Sequence, residues 1–115
     1  MDERLEKALE FSNYRATLGV QKKNIRTRMH VLQTVHYNKG SFLADSATIA
    51  FANALKQNGK TSAVMIDTKD NPIEVSDIDD FIEALMSAYT EATLEYKTQM
   101  DKISKARNIK KLMDW

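Results

Sequence analysis

The chain has no cysteine. That excludes a disulfide scaffold, a thiolate zinc site and a cysteine nucleophile. One proline and three glycines among 115 residues are too few for a turn-rich sandwich, a glycine-rich phosphate loop or a proline-rich linker. Neither sign of charge dominates. Seventeen Lys and Arg stand against 16 Asp and Glu, a formal net charge of +1, which argues against a globally basic nucleic-acid binder and an acidic disordered tail. No apolar run approaches the ~20 residues needed to span a bilayer, so no membrane partner is expected. The opening residues, Met1-Asp2-Glu3-Arg4-Leu5-Glu6-Lys7, are charged rather than signal-like. What remains is the length of a single domain, with 43% hydrophobic residues for a modest core.

The periodicity predicts two long helices. Residues 2–36 contain no proline and one glycine, Gly19. Phe11, Leu18, Ile25 and Leu32 recur every seven residues, with Tyr14, Met29 and Val35 beside them, a near-heptad stripe. From Ser76 onward, Ile78, Ile82, Leu85, Tyr89, Ala92, Tyr96, Gln99, Ile103, Ala106, Lys110 and Met113 fall at alternating steps of four and three, the seam of a coiled coil. Ser76 and the acids after it suit a helix start. Between the helices, Asn38 and Gly40 are turn formers. Ser41-Phe42-Leu43 reads as a short strand. A helix over about 46–58 is capped by Asp45 or Ser46 and stopped by Asn58-Gly59. Residues 62–75 read as a β-hairpin around Asp67–Asn71, and Ser41–Leu43 is expected to add a third strand or the hairpin to lie on the short helix.

Charge is unevenly distributed along the chain. Residues 21–39 carry Lys22, Lys23, Arg26, Arg28 and Lys39 and no acid, whereas residues 74–95 carry seven acids and no base. Antiparallel pairing of the long helices sets opposite charges together; parallel pairing sets like charges together. The expected fold is therefore mainly α with a small β part: a long antiparallel helical hairpin, coiled-coil-like, capped by a short helix and a β-hairpin. It forms one domain, 1–115, with helices at 1–36 and 76–115 and an α+β cap at 37–75. Apolar residues off the seam, Leu5, Leu9, Val20 and Val31 on the first helix and Phe81, Met86, Leu94 and Met100 on the last, are expected to build a second face for self-association or docking on a larger assembly. The alternative is that the short helix and cap cover them.

Chemistry is sparse. His30 and His36 are six apart, not the three or four of a helical metal pair. The acids at 77, 79, 80 and 83 lack the loop of a calcium site, and Asp67, Asp70 and Asn71 lack its later Gly and Glu; turn chemistry explains them better. No nucleophile–base motif such as GxSxG or SxxK is present. Neither enzyme activity, a metal nor a cofactor is expected. The basic run Lys102, Lys105, Arg107, Lys110 and Lys111 is the better of two candidate phosphate-contact patches, without the aromatic interleaving of a single-strand binder. Nucleic-acid contact is possible on this ground and is not favoured. Candidate partner contacts are Tyr37, Phe42 and Phe51 in the cap and Leu112, Met113 and Trp115 in the last residues, where a Trp beside Leu and Met forms a compact apolar anchor. Leu112-Met113-Asp114-Trp115 resembles the hydrophobic-acidic tails with which T4-like phage polymerases and late-transcription proteins bind a sliding clamp. The favoured alternative is a Trp covering the end of the hairpin.

Three segments together resemble small uncharacterised proteins of T4-like tailed phages, marine ones in particular. They are Leu5-Glu-Lys-Ala-Leu-Glu-Phe-Ser-Asn-Tyr-Arg15, Tyr37-Asn-Lys-Gly-Ser-Phe42 and Asn71-Pro-Ile-Glu-Val75. The resemblance implies a phage-encoded protein in the bacterial host cytoplasm or in the virion, and it carries no catalytic residues. The expected function is that of a non-enzymatic phage interaction protein, structural or in assembly. The runner-up is a regulator of the host transcription or replication machinery, close to nucleic acid through its basic stretch.

Overall fold

The computed structural model describes the backbone of residues 2–113 and the side chains of residues 2–106. In chain order the elements are α1 (Glu3–Gln33), β1 (Thr34–Tyr37), β2 (Gly40–Leu43), α2 (Ser46–Gln57), β3 (Ala63–Ile66), β4 (Pro72–Val75) and α3 (Ile78–Met113). The fold is mainly α with a small β part, and α1 and α3 are the arms of an antiparallel helical hairpin. The chain divides into two compact units. One is Met1–Arg28 with Tyr96–Trp115, and the other is Met29–Glu95.

The first unit is a pair of helical segments. Gln21, Asn24 and Ile25 of α1 lie across from Gln99, Lys102, Ile103 and Ala106 of α3. Tyr14, Leu18, Lys22 and Ile25 are half-buried; Tyr14, Leu18 and Ile25 belong to the stripe the heptad spacing predicts, and Lys22 joins them from outside it. Phe11 departs from it. Its side chain is 59% exposed, and the Arg15 guanidinium lies 5.9 Å from its ring centroid, a weak cation–π contact.

The second unit holds the core. Helix α1 ends at Gln33, three residues short of the expected end, because Thr34–Tyr37 pair antiparallel with β2 instead. The register sets Thr34 against Leu43, Val35 against Phe42, His36 against Ser41 and Tyr37 against Gly40. β-Branched and aromatic residues favour this pleated, half-buried setting. The turn is Asn38-Lys39, with φ of 47° and 68°, the left-handed pair of a two-residue hairpin turn. Gly40 therefore serves another purpose than turning the chain. A Cβ there would sit 2.5 Å from Cγ1 of Ile73 on β4, so the glycine is what lets the two hairpins touch.

β3 and β4 form the hairpin expected from residues 62–75, with Ala63 opposite Val75 and Met65 opposite Ile73. Ser41–Leu43 does not extend it; the strands make two separate two-stranded sheets. Asp67 joins them. Its Oδ1 accepts hydrogen bonds from the Asn71 N–H at 2.8 Å and the Lys69 N–H at 3.0 Å, while Oδ2 accepts from the Ser41 N–H at 3.1 Å. The Thr68 N–H donates to the Ser41 carbonyl at 2.8 Å. Asp67 is buried, and these donors, Asn71 foremost, hold its carboxyl below the ordinary aspartate range against the opposing effect of burial.

Capping fixes both helices of this unit. Asp45 Oδ1 accepts from the Thr48 N–H at 2.8 Å, a helix N-cap. At the other end of α2, Gly59 has φ of 79°, and the Gly59 and Lys60 N–H groups bond the carbonyls of Lys56 and Leu55, a Schellman motif. Asp77, rather than Ser76, caps α3, accepting from the Asp80 N–H at 3.2 Å. The core comprises Val35, Phe42, Ala44, Ala52, Met65, Ile73, Val75, Ile78, Phe81 and Leu85. Phe81 is fully buried, with Phe42 and Tyr37 edge-on to it at 4.9 and 5.2 Å between centroids. The expectation that Phe81 belongs to an outer face is thus corrected: the start of α3 buries an arc wider than a two-residue seam. Tyr89, expected in the seam, is at the exposed margin, and Ala88 and Ala92 lie inward. Among the described residues, no helix is long and apolar enough to cross a membrane.

Candidate interaction surfaces

In the first unit the relevant fact is what α1 leaves uncovered. The helix is 31 residues long with no buried residue. Leu5, Leu9, Phe11 and Val20 are large, apolar and exposed. Leu5, Leu9 and Val20 lie off the half-buried stripe, whereas Phe11 lies in line with it and is exposed all the same.

In the second unit an open groove runs between α2 and the two hairpins. Phe51 and Val64 stand on its walls with Ala47, Thr48 and Ile66, and Phe42 and Met65 lie beneath them. Local periodicity explains the arrangement. On β3 successive side chains alternate, so Met65 points inward while Val64 and Ile66 point outward. On α2, Ala52 is buried and its neighbour Phe51 is 54% exposed. Asp67 also lines this groove, with its carboxylate engaged by the three N–H groups described above.

The expected contact residues separate accordingly. Phe51 is available on the surface. Phe42 is only 3% exposed, and its assignment as a contact residue is corrected: strand β2 points it into the core. Tyr37 is half-buried, and its hydroxyl donates to the Asp77 carbonyl at 3.5 Å, so it too serves mainly the interior. Nothing in the sequence distinguishes Val64 and Ile66 as surface residues. Ala63–Ile66 reads there as a uniform apolar run, and only the strand alternation sorts its faces. Of the candidate phosphate contacts, Lys102 and Lys105 are exposed on α3. The side chains of Arg107, Lys110, Lys111, Leu112 and Met113, and all of Trp115, lie outside the described residues.

Two ion pairs among the described residues are superficial. Lys56 of α2 meets Asp79 in the acidic first turn of α3 at 2.8 Å, and Lys97 meets Asp101 one turn later on the same helix at 2.6 Å. Exposed pairs of this kind are worth only about 0.2–1 kcal/mol. Among the described residues, no group of three or more His, Asp or Glu side chains is placed to hold a metal ion. Comparison with protein-family models, curated proteins and solved structures finds no match to this chain.

Proposed function

We propose that this chain is a non-enzymatic interaction protein, a structural or assembly component that acts through the packing of its helices and associates with copies of itself. One observation supports the reading above the rest. Helix α1 extends for 31 residues without a single buried side chain, while Leu5, Leu9 and Val20, off its half-buried stripe, are exposed to solvent. Pairing with one neighbour uses one stripe of a helix. Apolar residues off that stripe are a standing gain in free energy for any partner that covers them, at about 25 cal/mol per Å² of apolar surface. The resemblance to small proteins of tailed phages suggests the setting, a phage product in the host cytoplasm or the virion.

Sedimentation velocity of the purified protein over a wide concentration range tests the reading. The expected result is a mass above the 13.1 kDa of one chain that rises with concentration. A single species of one-chain mass at every concentration would remove self-association. Detection of the protein in purified virions would support the phage setting, and its absence from them would remove the structural role.

A further inference from the structure

Phe11 lies on the side of α1 that the half-buried residues occupy and is exposed all the same, but Leu5, Leu9 and Val20 gather on one other face. At 3.6 residues per turn each residue advances about 100°. The half-buried Tyr14, Leu18, Lys22 and Ile25 then fall within an arc of about 80°. Leu5, Leu9, Ala16 and Val20 fall within an arc of about 60° on the opposite side, some 170° away from the first. The pair Leu5 and Leu9 recurs eleven residues later as Ala16 and Val20. An eleven-residue step returns to almost the same side of the helix, so such a stripe runs nearly straight along it. All four residues are exposed.

Two further features bear on what covers this stripe. The first is Gly19. It sits in a helix interior, where glycine costs roughly 1 kcal/mol against alanine. It has neither a positive φ nor any neighbour within 4 Å of where a Cβ would lie. Nothing among the described residues calls for it. It lies about 40° outside the edge of the stripe that Leu5 and Lys23 form, where it would let another helix approach closely. The second is charge. Asp2, just before the first residue of α1 and accepting from the Arg4 N–H at 3.2 Å, stands at one end of the stripe with Glu6 about 40° off its edge, and Lys23 lies on it at the other end.

We infer that the occupant is a second copy of this chain, with the α1 helices packed antiparallel through this stripe. The inference rests on the interaction reading above and names its partner and face. Sliding the two copies so that Leu9 meets Ala16 of the other sets Leu5 against Val20 and Asp2 against Lys23. Every apolar position then meets an apolar one, and the acidic end of each stripe meets the basic residue of its partner. Parallel packing fails on the same residues, because it stacks Asp2 on Asp2 and Lys23 on Lys23. Ala16 provides the space into which the partner's Leu9 packs, and Gly19, level with the partner's Glu6 at the margin of the stripe, lets the two backbones approach there.

The absence of native cysteine makes the test clean. A Leu5→Cys chain mixed with a Val20→Cys chain is oxidised and run on a non-reducing gel. The expected product is a disulfide between the two different chains, with little Leu5→Cys homodimer, since antiparallel packing places those two positions about 22 Å apart. In parallel, Leu9→Glu with Val20→Glu is expected to weaken self-association at least about tenfold, because a carboxylate buried without a partner costs well over one decade of affinity. Both sites are exposed in the single chain, so helix content by circular dichroism should hold. Gly19→Leu provides a second arm: it favours the helix, its Cβ has no neighbour within 4 Å, and it should still loosen the dimer. Preferential Leu5→Cys homodimers would overturn the antiparallel arrangement. Self-association unaffected by Leu9→Glu with Val20→Glu and by Gly19→Leu would overturn this face while leaving the interaction reading in place. A chain that never self-associates would overturn both.

Discussion

Substituting Gly40 by alanine tests how the two β-hairpins meet. The backbone at this position permits an alanine, since Gly40 is not among the residues with positive φ. The obstacle is Ile73, whose Cγ1, Cδ1 and Cγ2 would lie 2.5, 2.9 and 3.1 Å from the new methyl group. Carbon atoms pack at about 3.5–4.0 Å, so Ile73 must move by about 1 Å in a buried position. Overpacking of this kind costs about 1–3 kcal/mol, against a gain of about 0.4–1 kcal/mol from stiffening the unfolded chain. Gly40→Ala alone should therefore lower stability, by roughly 3–6 °C in midpoint for each kcal/mol lost in a chain of this size. Ile73→Ala alone should cost about 2–5 kcal/mol through the cavity it opens. It also removes all three offending atoms. In that background Gly40→Ala should cost almost nothing, since the methyl enters space already vacated. Urea unfolding of the four proteins, followed by circular dichroism, gives the coupling. The double variant should be more stable than the sum of the single losses by at least about 1 kcal/mol. Additivity to within about 0.5 kcal/mol, or a Gly40→Ala protein as stable as the parent, would refute the packing argument.

Other outcomes follow from the same unit. Phe81→Ala should cost about 3–5 kcal/mol in the same unfolding assay, because Phe81 is fully buried between Phe42 and Tyr37; a loss under 1 kcal/mol would show that it does not centre the core. Asp45→Ala should cost about 1 kcal/mol through the lost cap of α2, with Asp45→Asn retaining most of it. Lys39→Gly should stabilise by about 0.5–1 kcal/mol, since Lys39 occupies a left-handed conformation that glycine adopts freely. Asp67 predicts a pH dependence. Its carboxyl titrates lower in the folded chain than in the unfolded one, so its contribution is complete above about pH 4 and is lost as pH falls through the lowered folded value. The stability gap between the parent and Asp67→Asn, read from urea midpoints, should therefore shrink in strong acid; a gap that does not change with pH would contradict an ionised staple.

The helices were legible in the sequence because their spacing is periodic over many turns, and α2 was legible at both ends because Asp45 and Asn58-Gly59 are specific capping signals. The end of α1 was not. Val35 lies three residues after Leu32, which satisfies the helical period, and only pairing with Phe42 across the turn makes it a strand. In the sequence Gly40 has the signature of a turn former, whereas its role depends on Ile73, which is 33 residues away in the chain. Phe42 looked like a surface anchor until the alternation of β2 placed it inward. Phe81 lay off the four-three seam, yet α3 also packs on the hairpins there and buries a wider arc. The outer stripe of α1 was visible as leftover apolar residues, and its eleven-residue step gained meaning once the opposite face was known to be the covered one.

Hydrogen exchange along α1, measured at low and high protein concentration, tests the central claim most directly. Covering the outer face by a second copy stabilises the helix by mass action. The account predicts that exchange in residues 3–28 slows as concentration rises, while the strands β1–β4 change little. Exchange in α1 that stays constant across a roughly hundredfold range of concentration would contradict it.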